Sequence, residues 1–426
     1  MSGDRRESPP VTAGGNGVVL QDKKTAPVML PSQRLRLHPN KDHMPESYED
    51  LQLDFSPSVF RSLEKYLPPN MLSDSREEKV KFMRDILLKY LPHGERTRAQ
   101  KHGEYRQKII SHYKPLKREL YSMHPVTFFV PSFMKAINDN TEESLRSIIS
   151  EPSPGVLTFE MLQPRFCELL VAEVENFEAW VNDTKFRVMR PNTMNKYGAV
   201  LDDFGLETML DKLMDGFIRP ISKGDAYVLI PDKLHHMFSG SLIFFCILIR
   251  QNNTDYMIIF PASLSCAVFF REVGGATLDS HHGFVVEYGK DWDVDLGFHV
   301  DDSEVTLNVC LGKQFSGGEL FFRGTRCDKH VNTGSQPEEI FDYSHVPGGA
   351  VLHLGRHRHG VRATTSGHRI NLLLWCRSSV FREIRKYQKD FSSWCGECAR
   401  EKKGRQRAFI AATKSELLRQ DGESVA

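Results

Sequence analysis

The sequence predicts an α+β fold, with helices over its N-terminal half and a sandwich, jelly roll or barrel of short strands after residue 268. Two patterns carry that reading. Between about 55 and 222, apolar residues recur at helical spacing. From about 268 to 378, eight short apolar runs follow one another, separated by Gly, Asp, Asn, Ser or Pro. Many short strands at near-regular intervals argue for closed or doubly layered β architectures. A chain of 426 residues with 40% hydrophobic content can bury a real core, in two domains or one enlarged domain.

In chain order, residues 1–50 are rich in Gly, Pro, Ser and charge and lack apolar periodicity, so they read as a disordered tail. Its stretch QRLRLHPNKDH is either a basic recognition patch or simply solvated. Residues 51–160 read as a helical region. Ser75 and Glu78 have capping-box spacing ahead of a stripe of Val80, Met83, Leu87 and Leu91, which Pro92 should end. Phe166, Leu169, Leu170, Val174 and Phe177 form a second stripe. Leu206, Met209, Leu210, Leu213 and Phe217 form a third, with Pro220 expected to close it. These faces would cover one flank of a sheet. Residues 224–267 depart in composition from both flanks, and their run SLIFFCILI is too short to span a bilayer. They read as a buried strand pair or an inserted loop. The eight strand candidates are FVVEY, LGFHV, VTLNVCL, ELFFRG, IFDYSHV, AVLHLG, HGVRAT and RINLLLWCR. Residues 379–426 read as a basic, helical tail.

A net charge of +1 gives no global pull toward nucleic acid or anionic membrane. The first thirty residues lack the layout of a signal peptide. The sparse cysteines suit a reducing compartment, so the cytoplasm or the nucleus is expected, without a membrane association.

The chemistry concentrates in GFHVDDSEVTLN, residues 297–308. In an extended run, His299 and Asp301 share one face. With a second His they would make a two-His-one-carboxylate triad, which holds Fe(II) and leaves three positions open. A bidentate 2-oxo acid would take two of those and dioxygen the third; a closed four-ligand zinc site could not do this. Candidates for the second His are His330, His345, His353, His357, His359 and His368. The segment HGVRATTSGHRINLLLW favours His359, because Arg369 follows at the start of the last strand, where it can pair with a distal carboxylate. His353, inside AVLHLG, reads as a hydrogen-bonded core residue, and His357 and His368 as exposed residues flanking turns.

Taken together, FVVEY, HVD, FSGGELFF, HGVRATTSGHR and LLLW resemble the Fe(II)- and 2-oxoglutarate-dependent dioxygenases, in their prolyl and lysyl hydroxylase-like branch. The nearest resemblance is to the 2-oxoglutarate and iron-dependent oxygenase domain proteins. It covers 161–378, with the motif core at 279–378 and an interruption at 224–267. It implies a double-stranded β-helix with helices packed outside. It implies His299, Asp301 and His359 on iron, Arg369 on 2-oxoglutarate, and Tyr288 in hydrogen-bond reach of the cosubstrate. A packed strand-end Tyr is the alternative for Tyr288, whose spacing to His299 is one residue longer than in some relatives. The implied reaction consumes O2 and 2-oxoglutarate, releases succinate and carbon dioxide, and hydroxylates an unactivated C–H of a protein or peptide side chain. L-ascorbate is the implied reductant for iron oxidised without turnover. Against this resemblance, 224–267 is an addition to the family core, from a lineage-specific loop or a retained intron.

Other signals are weaker. Cys395 and Cys398 form a C-x-x-C pair, and with no second pair following, a closed zinc site is not expected. Arg400 to Arg407 reads as a solvated helix face or a localisation signal. His281, just before the first strand, could touch substrate, with turn chemistry at Asp279 and Ser280 as the plainer reading. The rival functions are a small-molecule or nucleic-acid oxygenase on the same fold, or a non-catalytic barrel. The lack of aromatic-basic interleaving argues against nucleic acid.

Overall fold

Antiparallel strands of the C-terminal half, several of them buried on both faces, build the framework. The computed structural model describes residues 35–36, 40, 43–48, 50–51, 55, 57–90, 93–223, 230–231, 244–251, 254–261, 270, 275–312, 314–379, 381–382 and 394–423. Its strands are β1 (Ser150–Ser153), β2 (Val156–Glu160), β3 (Gly198–Val200), β4 (Ile230–Pro231), β5 (Phe244–Gln251), β6 (Thr254–Pro261), β7 (Ser280–Gly289), β8 (Leu296–His299), β9 (Val305–Gly312), β10 (Phe315–Gly317), β11 (Leu320–Thr325), β12 (Ile340–Tyr343), β13 (Gly349–Leu354), β14 (His357–Val361) and β15 (Thr364–Arg377). The architecture is α+β. A major sheet runs β1-β2-β13-β9-β15-β7-β3, with β10 added to β15, and a minor sheet runs β12-β11-β14-β8. All pairings in both sheets are antiparallel. No ladder among the described residues joins the two sheets into a closed barrel.

Strand β9 is buried at every position because both of its faces are covered. Val305, Leu307, Val309 and Leu311 join the large core that includes Phe166, Leu170, Val174 and Phe177 of the helix Pro164–Thr184. Strand β15 does the same. Ile370, Leu372 and Leu374 face that core, while Arg369, Asn371, Leu373 and Trp375 line a cavity on the opposite face. The third apolar stripe, Leu206 to Phe217, is buried in the same core. Each fully buried aliphatic side chain contributes about 1.5–3 kcal/mol.

Several expectations need correction. Pro220 does not close its helix. A π turn, Met214–Ile218, lies directly before it, and Pro220 occupies the first turn of Arg219–Lys223, where a missing N–H costs least. Residues 150–160 are not helical, because β2 pairs with β13 and extends the major sheet. Residue 50 is not the edge of order. Tyr48 is fully buried with Phe60, Leu67 and Met83, and Glu64 gathers the Tyr48 hydroxyl, the Glu46 amide and His43. The capping box of Ser75 and Glu78 is present at the start of Arg76–Tyr90. Leu91 and Pro92 lie outside the described residues, as do residues 1–34.

Within 224–267, β5 and β6 form a hairpin with β4 on its edge, a separate three-stranded sheet. Among the described residues, it supplies no strand to the major or minor sheet. Its side chains lie outside the described residues. The chain returns beside its point of departure, for a Cβ added at Gly275 would stand 2.7 Å from the Ser222 carbonyl oxygen.

The C-x-x-C pair is not alone. The connection after β11 brings Cys327 and His330 against Cys395 and Cys398 at the start of the helix Gly396–Glu423. The second pair precedes the first in sequence, far upstream, which a search for a following pair cannot find. Among the described residues, no helix is long and apolar enough to cross a membrane.

Candidate metal centre

Cross-strand pairing brings the two candidate imidazoles together. His299 on β8 stands opposite His359 on β14, with ring centroids 4.3 Å apart. Strand β8 ends at His299, so Asp301 is not a strand neighbour on the same face. It lies just beyond, held by its amide on the Gly355 carbonyl. Its carboxylate reaches back to 3.6 Å from His299 Nε2 and 3.7 Å from His359 Nε2. The Thr306 hydroxyl donates to Asp301 Oδ2 at 2.7 Å.

The tautomers follow from the partners. His299 Nδ1 lies 2.7 Å from the Gly297 carbonyl and His359 Nδ1 lies 2.8 Å from the His357 carbonyl. A carbonyl only accepts, so each Nδ1 carries the proton and each Nε2 presents its lone pair to Asp301. Burial, then the neighbouring His359, holds His299 down to about 4; burial holds His359 down to about 4 as well. Both are neutral near pH 7. Burial pushes Asp301 up to about 6 despite His299 beside it. Two neutral nitrogens and one carboxylate on a single point form a set that could hold a divalent cation.

The same cavity is lined by Arg369, Tyr288, Asn195, Asn308 and Asn371. Arg369 is 1% exposed. Its guanidinium lies over the ring of Tyr288, 4.3 Å from the centroid, and donates to the Gly318 carbonyl. Among the described residues no carboxylate pairs with it, and its Nε has no hydrogen-bond partner. Asn371 Oδ1 is likewise buried without a donor. A buried cation with an orphaned N–H suits an anionic ligand in the cavity. Gly318, at φ +73°, keeps the turn open, because a Cβ there would lie 2.9 Å from Thr364 Oγ1 and 3.3 Å from Arg369 Nη1. Tyr288 accepts a hydrogen bond from Asn195 Nδ2 at 3.0 Å and is pushed by burial up to about 12, so its hydroxyl keeps a proton to donate.

The other candidate histidines are placed elsewhere. His353 is a buried core residue bonded to the Leu354 carbonyl at 2.9 Å, although its Nε2 comes within 3.8 Å of Asp301 Oδ2. His357 and His368 are not exposed. His357 is fully buried because β14 begins there, and its ring meets Phe322 edge-on. His368 pairs with Glu287 at 2.6 Å and stacks on Trp292, because β15 begins at Thr364. His345 sits 3.3 Å from Asn371 Nδ2. His281 does not face the cavity; it is buried between Asp211 at 3.1 Å and Asp202 at 3.6 Å. Asp279 is not a local turn residue: its carboxylate accepts from the Ser379 amide, 100 positions away, and from the Tyr66 hydroxyl, tying β7's start to distant segments. The contributions of Asn195, Thr306 and Asn371 were missed. Asn308 and Asn371 at alternate positions in otherwise apolar runs were the available signal.

Residues 109–227 match the family model of the OGFOD2-like domain. The chain is 60% identical over 432 residues to an Arabidopsis thaliana protein, 2-oxoglutarate and iron-dependent oxygenase domain-containing protein CP2, covering 98% of each. It is 54% identical to a second, ICU11, from the same plant, covering 92% of this chain and 87% of that one. It is 32% identical to 2-oxoglutarate and iron-dependent oxygenase domain-containing protein 2 of Xenopus tropicalis, covering 65% and 66%. With most of its strongest identity spread over nearly the full length of both chains, this protein belongs to the 2-oxoglutarate and iron-dependent oxygenase domain-containing proteins, a family of enzymes.

Proposed function

We propose that the chain hydroxylates an unactivated C–H of a prolyl or lysyl side chain in a protein, on a double-stranded β-helix, inside the cell. His299, Asp301 and His359 would hold Fe(II), and Arg369 with Tyr288 would hold 2-oxoglutarate. The observation that carries the reading is one cavity containing both the two-His-one-carboxylate cluster and a buried guanidinium with an unpartnered N–H. Between β7 and β15 the chain crosses repeatedly from one sheet to the other, which supports the β-helix. When bound, iron with 2-oxoglutarate and O2 supplies the oxidising power, with succinate and carbon dioxide as co-products and L-ascorbate as the maintaining reductant.

The chain's own residues do the rest. The Gly297 and His357 carbonyls lock the imidazole tautomers. Thr306 orients one carboxylate oxygen of Asp301. Arg369 fixes the cosubstrate by a charge-assisted pair, and Tyr288 adds an O–H donor beside it. Val286, Leu296, Leu320 and Val361 give the cavity an apolar lining that keeps water from the reacting carbon.

The test is anaerobic titration with Fe(II) and 2-oxoglutarate, followed by succinate release in air against a library of prolyl- and lysyl-containing peptides. Peptide-dependent succinate with a hydroxylated product is expected. Succinate stimulated only by small molecules or nucleic acid would overturn the substrate class, and no iron-dependent binding of 2-oxoglutarate would overturn the site.

A further inference from the structure

We propose a second metal site, a structural zinc centre of Cys327, His330, Cys395 and Cys398, separate from the iron centre. The four ligand atoms all lie within 4.8 Å of one another. Cys327 Sγ is 3.7 Å from Cys398 Sγ. His330 Nδ1 is 3.4 Å from Cys327 Sγ, 3.6 Å from Cys395 Sγ and 3.5 Å from Cys398 Sγ. A tetrahedron with Zn–S of about 2.3 Å and Zn–N of about 2.0–2.1 Å has S···S edges of about 3.8 Å and S···N edges of about 3.6 Å. The four observed edges match those of such a tetrahedron, and the remaining two Sγ···Sγ distances lie within 4.8 Å. They are far longer than a disulfide bond of about 2.05 Å, and Cys327, Cys395 and Cys398 are all free thiols.

The surroundings fit a thiolate-rich metal. His330 Nε2 lies 3.0 Å from Glu401 Oε1, on the helix that begins after Cys395. A carboxylate that accepts from Nε2 leaves the Nδ1 lone pair pointing at the three sulfurs. One lone pair can take one S–H donor, not three, whereas a cation satisfies the nitrogen and all three thiolates together. The His330–Glu401 contact is the carboxylate–histidine arrangement that orients metal-bound imidazoles. Binding is simple exchange: three thiol protons leave as Zn²⁺ arrives, with no change of oxidation state. The coordination is closed, so the site has no open position for substrate.

Its place in the fold assigns its role. Cys327 and His330 lie just after β11, and β11 pairs with β14, which carries His359. Arg358, also on β14, donates to the Thr333 carbonyl at 3.0 Å, within the same loop. Thr325 Oγ1 donates to the Trp394 carbonyl at 2.6 Å. The zinc would therefore staple the helix Gly396–Glu423 onto the loop that backs a strand of the iron centre, joining segments 65 positions apart.

The experiment is metal analysis of the purified full-length chain, with Co(II) substitution as a spectroscopic probe. Stoichiometric zinc is expected to survive dialysis against a weak chelator, and to persist in His299→Ala, which removes a ligand of the other centre. Cys398→Ser should lose it. The cobalt-loaded chain should show a thiolate-to-cobalt charge-transfer band and the strong visible bands of tetrahedral Co(II). Should Cys398→Ser fail to fold, titration of the wild-type chain with a mercurial thiol reagent should release the zinc in proportion to the cysteines modified. Zinc release should also speed proteolysis within 394–423. A chain that holds no zinc after reconstitution, zinc that disappears in His299→Ala, a cobalt spectrum without thiolate bands, or a Cys395–Cys398 disulfide found by mass spectrometry would each overturn the proposal.

Discussion

Asp301 is the residue on which the proposed iron centre turns. It supplies the only carboxylate of the triad, and it is anchored by Thr306 and the Gly355 carbonyl. Asp301→Ala should abolish both the iron–2-oxoglutarate charge-transfer band and succinate release. Its carboxyl is pushed by burial up to about 6, so a proton competes with the metal below that value. The imidazoles, held down to about 4, do not compete until much lower pH. Anaerobic Fe(II) affinity should thus be flat above pH about 6 and fall as pH drops through it; affinity that rises on acidification would contradict the assignment. Arg369→Ala should weaken 2-oxoglutarate by about 1.5–3 kcal/mol, the range for a charged hydrogen bond, and leave Fe(II) binding in place. Calorimetry with and without 2-oxoglutarate separates the two effects.

At the scale of elements, β7 and β15 join the core to the site through their alternating faces. Leu374→Ala, on the helix-facing side of β15, should lower stability by about 2–5 kcal/mol without touching the cavity. Next to β7's start, His281 is buried between two carboxylates. Burial alone would depress it, but Asp202 and Asp211 hold it up to about 9, above its ordinary 6.5. A raised folded-state value means its stabilisation is complete below 6.5 and is lost as pH rises toward 9. His281→Gln should therefore lower Tm more at pH 6.5 than at pH 9, and a loss that grows with pH would show that His281 is neutral in the fold.

For the whole molecule, among the described residues the added sheet of β4, β5 and β6 makes no ladder with the major or minor sheet, and Ser222 and Gly275 meet at its base. A long excursion with adjacent ends adds little loop-closure entropy, because that term grows logarithmically. Deleting 224–267 should preserve Fe(II) and 2-oxoglutarate binding and raise the soluble yield. An unfolded deletion variant by circular dichroism would show instead that the segment is integral to the core.

Much of this organisation is local and therefore legible along the chain. Helical stripes such as Phe166 to Phe177, the strand runs, and the capping box of Ser75 depend on spacing, and spacing is written in the sequence. The positions of His299, Asp301, His359 and Arg369 are written there too. What local pattern does not contain is partner choice. The pairing of β8 with β14 brings His299 to His359, and that of β7 with β15 sets Arg369 over Tyr288. The same limit explains the misplaced edges. His357 is buried because β14 starts two residues before the run read as a strand, Tyr48 is ordered because a distant Glu64 holds it, and a π turn carries the chain past Pro220. It also explains the missed cluster. Cys395 and Cys398 looked incomplete because their partners, Cys327 and His330, come from another part of the chain. Period and propensity act over a few residues, so spacing along the chain shows most of the elements and the chemical groups they carry; which groups meet depends on docking between strands and helices far apart in the chain, and that is visible in the folded molecule alone.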